Sequence, residues 1–207
     1  PELFQALIAN VKQSLLDLIH QLQNNRVIIV PIFNGNGHYK THSISVLFIF
    51  INKDIYIISI DHNEGFNIPK EVLSKFPQST YIVPNKKHVI DILPENIIDL
   101  HVLYYIESGK DLELPFKILE DYILRYPYVS NVNTCIPLMK LLEYAESISN
   151  IVSTLDVDRI QTSEEFKFIN DIAIPTYHFL ESSGVYVNKN LANQYYKTDG
   201  EDRLIDT

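Results

Sequence analysis

Several stretches of this 207-residue chain carry residue types that could do chemistry. Asn34-Gly35-Asn36-Gly37-His38-Tyr39-Lys40-Thr41 places glycines, a lysine and a hydroxyl after a strand-like run, the ingredients of a phosphate-cradling loop. The spacing is wrong for that loop, and paired Asn-Gly steps are strong hairpin signals, so a turn is the better reading. His38, His42 and His62 could suggest a metal site, but with no cysteine or acid beside His38 and His42 they read as loop histidines. Lys86-Lys87-His88 is the compact basic cluster of the chain; it reads as a solvated face, or as a weak contact with a nucleic-acid backbone. Cys135, the single cysteine, stands beside Ile136 and reads as a small packed hydrophobe rather than a nucleophile. Glu143 and Glu146 share a helix surface, and Asp99 precedes a helix, where a short carboxylate caps free amides. From Leu18 to Lys53 there is no Asp or Glu at all.

These residues need a scaffold, and composition bounds it. With 46% hydrophobic residues the chain can bury a substantial core. A formal net charge of -9 argues against gripping nucleic acid by bulk electrostatics, which needs clustered Lys and Arg. No apolar run approaches the roughly 20 residues of a membrane span, and Pro1 to Asn10 lacks the pattern of a signal peptide, so a cytoplasmic protein with no membrane partner is expected. One cysteine excludes an internal disulfide framework.

The centre of the scaffold is Arg26 to Asp61. Val27 to Phe33, Ser43 to Ile51 and Ile55 to Ile60 are β-branched and aromatic runs joined by Gly/Asn/Asp connections, which predicts an antiparallel three-stranded block. Before it, Phe4 to Leu22 recurs at helical spacing. After it come a short helix begun at Pro69, a strand at Thr80 to Val83, a helix from Lys86 to Ile92 capped by Asn85, and a strand at Ile97-Ile98. A helix behind Asp99 is stopped by Gly109. The remainder reads as helices over Pro115 to Tyr126, Pro137 to Leu155 and Thr162 to Gly184, the last interrupted by Pro175. Strands followed by helices predict an α+β fold, a mixed sheet covered by helices.

The stretch Glu164-Glu165-Phe166-Lys167-Phe168-Ile169-Asn170-Asp171-Ile172-Ala173-Ile174-Pro175-Thr176-Tyr177-His178-Phe179-Leu180-Glu181-Ser182-Ser183-Gly184-Val185-Tyr186-Val187-Asn188 is more specific. It resembles the helix joining the 3'-5' exonuclease domain of family A DNA polymerases, the bacterial DNA polymerase I type, to their polymerase domain. Asp99, the Pro115 to Tyr126 helix and the helix with Tyr144-Ala145-Glu146 fall in the order of that domain, so the resemblance runs from about Arg26 to Asn188. It implies a ribonuclease H-like exonuclease fold. It also implies three segments: a leading helix (1–25), an exonuclease-like domain (26–161), and a connecting helix with the start of the polymerase domain (162–207).

The family's catalytic residues do not carry over. Active members hold two metal ions with an Asp-x-Glu on the first strand, an Asp four residues after an Asn, and an Asp four residues after a Tyr. Two dications about 4 Å apart need several converging carboxylates. Here the first strand runs through Pro31, Ile32 and Phe33 into Asn34; four residues after Asn85 stands Val89, and four after Tyr144 stands Ile148. Phe33, Asn34, Val89 and Ile148 are therefore read as the degenerate positions of an exonuclease site, with no catalytic and no metal-binding residue and no cofactor expected. The implied function is an inactive domain serving as a structural platform in DNA replication or repair. Its partners would be the polymerase domain of the same parent chain and, weakly through Lys86, Lys87 and His88, DNA. Two alternatives stand beside it: an active exonuclease using Mg2+ and displaced acids such as Asp61, Asp91 or Glu146, and a stand-alone interaction module. The polar tail, Asn188 to Thr207, is expected to be peripheral.

Overall fold

The computed structural model describes residues 14–23, 25–34, 43–94, 96–125, 133 and 135–184. The expectations for residues 1–13, for His38 and His42 and for the tail from Asn188 lie outside them. A helix, α1 (14–22), leads into β1 (Arg26–Asn34), β2 (Ser43–Ile51) and β3 (Asp54–Ser59). Then follow a 3-10 segment Lys70–Lys75, β4 (Thr80–Val83), a 3-10 turn Lys86–His88 and β5 (Ile97–Asp99). The helices after it are α2 (Leu100–Ser108), α3 (Glu120–Arg125), α4 (Leu138–Ser153), α5 (Val157–Gln161), α6 (Glu164–Lys167) and α7 (Ile174–Ser183).

The three β-branched runs pair as their alternation requires: β1 with β2 and β2 with β3, both antiparallel. β4 and β5 then add to the other side of β1 in parallel, giving the order β3-β2-β1-β4-β5. The fold is thus α+β with a mixed five-stranded sheet. Period two divides its side chains between two apolar layers. Val30, Ile32, Val46, Phe48 and Ile82 face one layer, which α4 completes with Leu141, Ala145, Ile148 and Val152, together with residues of α2, α5 and α6. Val27, Ile29, Leu47, Ile49 and Tyr81 face the other, covered by Leu18 and Leu22 of α1 and by Leu73. A sheet buried on both faces reads as nearly continuous Val and Ile, as β1 does. A register shift opposite Ile32/Phe33 leaves Ser45 as an extra residue of β2. Its carbonyl accepts from the N–H groups of Ile60 and Asp61, and its hydroxyl donates to the Asp61 carbonyl at 2.8 Å.

Three local expectations need correction. Asn85 does cap, its side chain accepting from Lys87 N, but only the 3-10 turn Lys86–His88 follows instead of a helix to Ile92. The segment begun at Pro115 starts as a 3-10 stretch, Phe116–Leu119, and becomes α-helical only at Glu120. Cys135 is exposed, not packed.

Contacts divide the chain into two compact units, 1–175 and 176–207; the first holds the whole sheet and its two apolar layers. Within it, α6 passes into a π-helical turn, Phe168–Ala173, where the Ile174 N–H reaches back to the Ile169 carbonyl. Pro175 explains the wider turn, because it has no N–H to offer the preceding turn and its ring crowds that carbonyl.

Candidate functional site

β1, β4 and β5 run parallel, so their carboxyl ends meet on one side of the sheet, where open α/β sheets commonly hold ligands. A cavity of about 460 Å³ lies there. Its polar and aromatic lining comes from Phe33 near the end of β1, Asn85 and His88 just past β4, His101 at the start of α2, Phe116, Asn133, and Tyr144 of α4. No Asp or Glu is among its described lining residues. Local chemistry fixes these groups. The Asn85 side chain is held by the turn it caps, accepting from Lys87 N at 3.1 Å. Asn133 Nδ2 donates to the Phe33 carbonyl at 2.7 Å. The Phe33 and His88 rings meet edge to face at 5.7 Å, and Phe116 stacks on Tyr144 at 5.6 Å. Burial pushes the Tyr144 phenol well above its ordinary range, so it remains a neutral hydroxyl.

Asn34 closes β1 beside the cavity and is buried. Its Nδ2 donates to the carbonyl and to Oδ2 of Asp61, at 3.2 and 3.1 Å, while its Oδ1 is buried without a partner. Phe33, Val89 and Ile148 are divided between the two apolar layers. Phe33 and Val89 belong to the apolar layer that α1 covers, and Ile148, fully buried, to the layer under α4. Ile148 is held in its layer by the 3.6-residue stripe of α4, with Leu141 and Ala145.

Nor do the acids considered as substitutes converge. Asp61 bonds Asn34 at the carboxyl end of β1. Glu146 lines a separate cavity with Arg26 at the amino end of that strand, and Asp91 is exposed. The two ends of a nine-residue strand are roughly 26 Å apart at the usual rise. Among the described residues no three His, Cys, Asp or Glu side chains assemble as a metal would require. The donor set at the cavity, amides and imidazoles with one unpaired neutral oxygen nearby, does not fit a pair of dications.

Lys86, named with Lys87 and His88 as a candidate DNA contact, is not on the surface. It is 7% exposed; its ammonium donates to the Asn170 carbonyl at 2.8 Å and lies 3.7 Å from Asp171 Oδ1. Burial pulls its pKa down, opposed by Asp171 and Asp99. Lys87 and His88 are half-buried.

One well-connected buried polar group was invisible in the sequence. Asn170, in the π-helical turn, accepts from the Asp99 N–H at 2.9 Å and donates to the Ile97 carbonyl at 3.0 Å. Those are the outward backbone groups of β5 that a further strand would have used, so one side-chain amide closes that edge of the sheet. Asp99 accepts from Lys86 N at 2.7 Å and, as the cap of α2, from Val102 N at 3.2 Å. Burial raises its pKa, and the bonds from Lys86 N and Val102 N only partly offset that. A carboxyl whose folded pKa lies above its unfolded value favours folding most below that unfolded value, and the contribution fades as pH rises through the folded pKa. Asp99→Asn removes this titration. We expect the stability of the wild type relative to the variant to fall as pH rises from about 3.8 through the raised value. Urea unfolding of both proteins across that range checks it, and a pH-independent difference would contradict it.

No protein-family model and no curated protein matches the chain. Among solved structures it is similar to the EXO domain of Aedes aegypti Nibbler, with 11% sequence identity and a TM-score of 0.46, over 77% of this chain and 91% of that one.

Proposed function

We propose that the chain is a degenerate 3'-5' exonuclease-like domain of ribonuclease H-like fold. It would serve a family A DNA polymerase as a structural platform beside the polymerase domain. The observation that carries this reading is the cavity at the carboxyl ends of β1, β4 and β5. Metal-dependent phosphodiester cleavage needs carboxylates that generate hydroxide beside the phosphate and neutralise the charge of two ions. The described lining offers amides, imidazoles and aromatic rings instead. The polymerase parent rests on the resemblance of Glu164 to Asn188, and a surface role in DNA contact falls to Lys87 and His88 rather than to Lys86.

The test is direct. The purified chain, incubated with a 5'-labelled single-stranded oligonucleotide and millimolar manganese or magnesium, should leave the strand at full length. Steady release of mononucleotides, abolished by a chelator and by removal of Asp61 or Glu146, would instead establish an exonuclease with displaced acids.

A further inference from the structure

The two edges of the sheet are built differently. Asn170 seals β5, while β3 ends the sheet on the other side. The Ile60 N–H bonds the Ser45 carbonyl, and the pairing of β3 with β2 keeps that register, so the backbone groups of Tyr56 and Ile58 face β2. Those of Ile55, Ile57 and Ser59 face outward. The Ser59 carbonyl is taken by the Ile68 N–H at 2.9 Å, which confirms the direction. The outward N–H and C=O groups of Ile55 and Ile57 have no partner among the described residues. Asp54–Ser59 contains no proline and no lysine, no bulge interrupts its pairing with β2, and Asp54 at its start is its one charged residue.

The side chains along this edge are apolar. Ile55 and Ile57 are 42% and 44% exposed. Beside the strand a cavity of about 480 Å³ is lined by Leu15, Leu18, Tyr56, Ile57, Ile58, Phe66 and Ile68 among others. An added strand would therefore find backbone partners at Ile55 and Ile57, with apolar side chains beside them.

We propose that β3 takes up an extended segment of a partner protein, one with alternating aliphatic side chains flanked by lysine or arginine. The charge around the edge selects the flanks: Asp54 starts the strand, and Asp61 and Glu64 follow its end, against Lys53 alone. A second copy fits less well. It would bring another formal charge of -9 to an edge already flanked by acids.

The probe is a fluorescein-labelled peptide, Lys-Thr-Val-Thr-Ile-Thr-Val-Lys, titrated with the 207-residue chain and followed by anisotropy. Saturable binding is expected, with slowed hydrogen exchange at the Ile55 and Ile57 amides. Ile57→Pro removes an outward N–H without touching the pairing with β2, and should weaken binding about tenfold or more. Ile57→Lys serves as the second variant, guarding the edge without altering the backbone. A peptide N-methylated on its pairing side tests the same bonds with the protein unchanged and should also bind about tenfold more weakly. Absence of binding, or binding indifferent to N-methylation and to both substitutions, overturns the proposal. So does a wild-type dimer in sedimentation that Ile57→Pro abolishes, since the edge would then belong to a second copy.

Discussion

Ile148→Asp is expected to lower the melting temperature by roughly 10–20 °C without creating a metal site. The position is where an exonuclease of the resembled family would carry an acid, so the substitution is the natural attempt at restoration. Ile148 is fully buried among Val30, Phe48, Leu141 and Ala145. A carboxylate there meets apolar groups and must either ionise without solvent or take up a proton at a strongly raised pKa; with the lost packing, the cost is about 4 kcal/mol or more. That is a large share of the roughly 5–15 kcal/mol that holds a domain together. Val89→Asp should behave similarly, since Val89 is 1% exposed in the opposite layer. Phe33→Glu should be milder, because Phe33 is only partly buried. Differential scanning fluorimetry of the three single variants and of their combination, with and without manganese, checks the whole set. A combined variant that melts near the wild type, gains stability with manganese and releases mononucleotides would show that the three positions converge after all.

Asn170→Ala is expected to cost roughly 3–5 kcal/mol, lowering the melting temperature by about 10 °C. The amide makes two bonds to the backbone of β5, and its removal leaves the Asp99 N–H and the Ile97 carbonyl buried without partners. Each such orphan costs about 1–3 kcal/mol, more than the net worth of the bond that was lost. Lys86 keeps its bond to the residue 170 carbonyl, so the loss should be confined to the β5 edge. Hydrogen exchange can localise it: the amide of Asp99 should become the most accelerated in β5. A melting point within about 2 °C of the wild type would mean that water replaces the amide without penalty, and that the edge is not sealed by Asn170.

The contrast between these two residues marks how far the amino-acid order reaches. Strand runs such as Val27 to Phe33 and Ser43 to Ile51 were legible because β-branched residues at period two suit only a pleated, buried surface. The α4 stripe of Leu141, Ala145 and Ile148 was legible for the same kind of reason at period 3.6. The caps at Asp99 and Asn85 were legible too, since both satisfy amides within three residues of themselves. The absence of acids from Leu18 to Lys53 settled in advance that β1 could offer a metal no carboxylate.

What the order of residues left open depends on partners far away along the chain. Lys86 looked like part of a basic surface, yet its charge is held by Asn170 and Asp171, more than eighty positions later. Asn170 itself is one of two polar residues between Ile169 and Ile172, and nothing local says that its amide completes a sheet edge. Helix length past Asn85 was overestimated because a cap signal is local, whereas continuing a helix requires an apolar face for tertiary packing to hold. The split of Val89 and Ile148 between two layers is also a tertiary outcome: it follows from the order β3-β2-β1-β4-β5 and from which helices cover which face. Secondary structure and its caps are short-range and were written in the sequence; burial of a charge, closure of one sheet edge and openness of the other are long-range, and only the folded chain decided them.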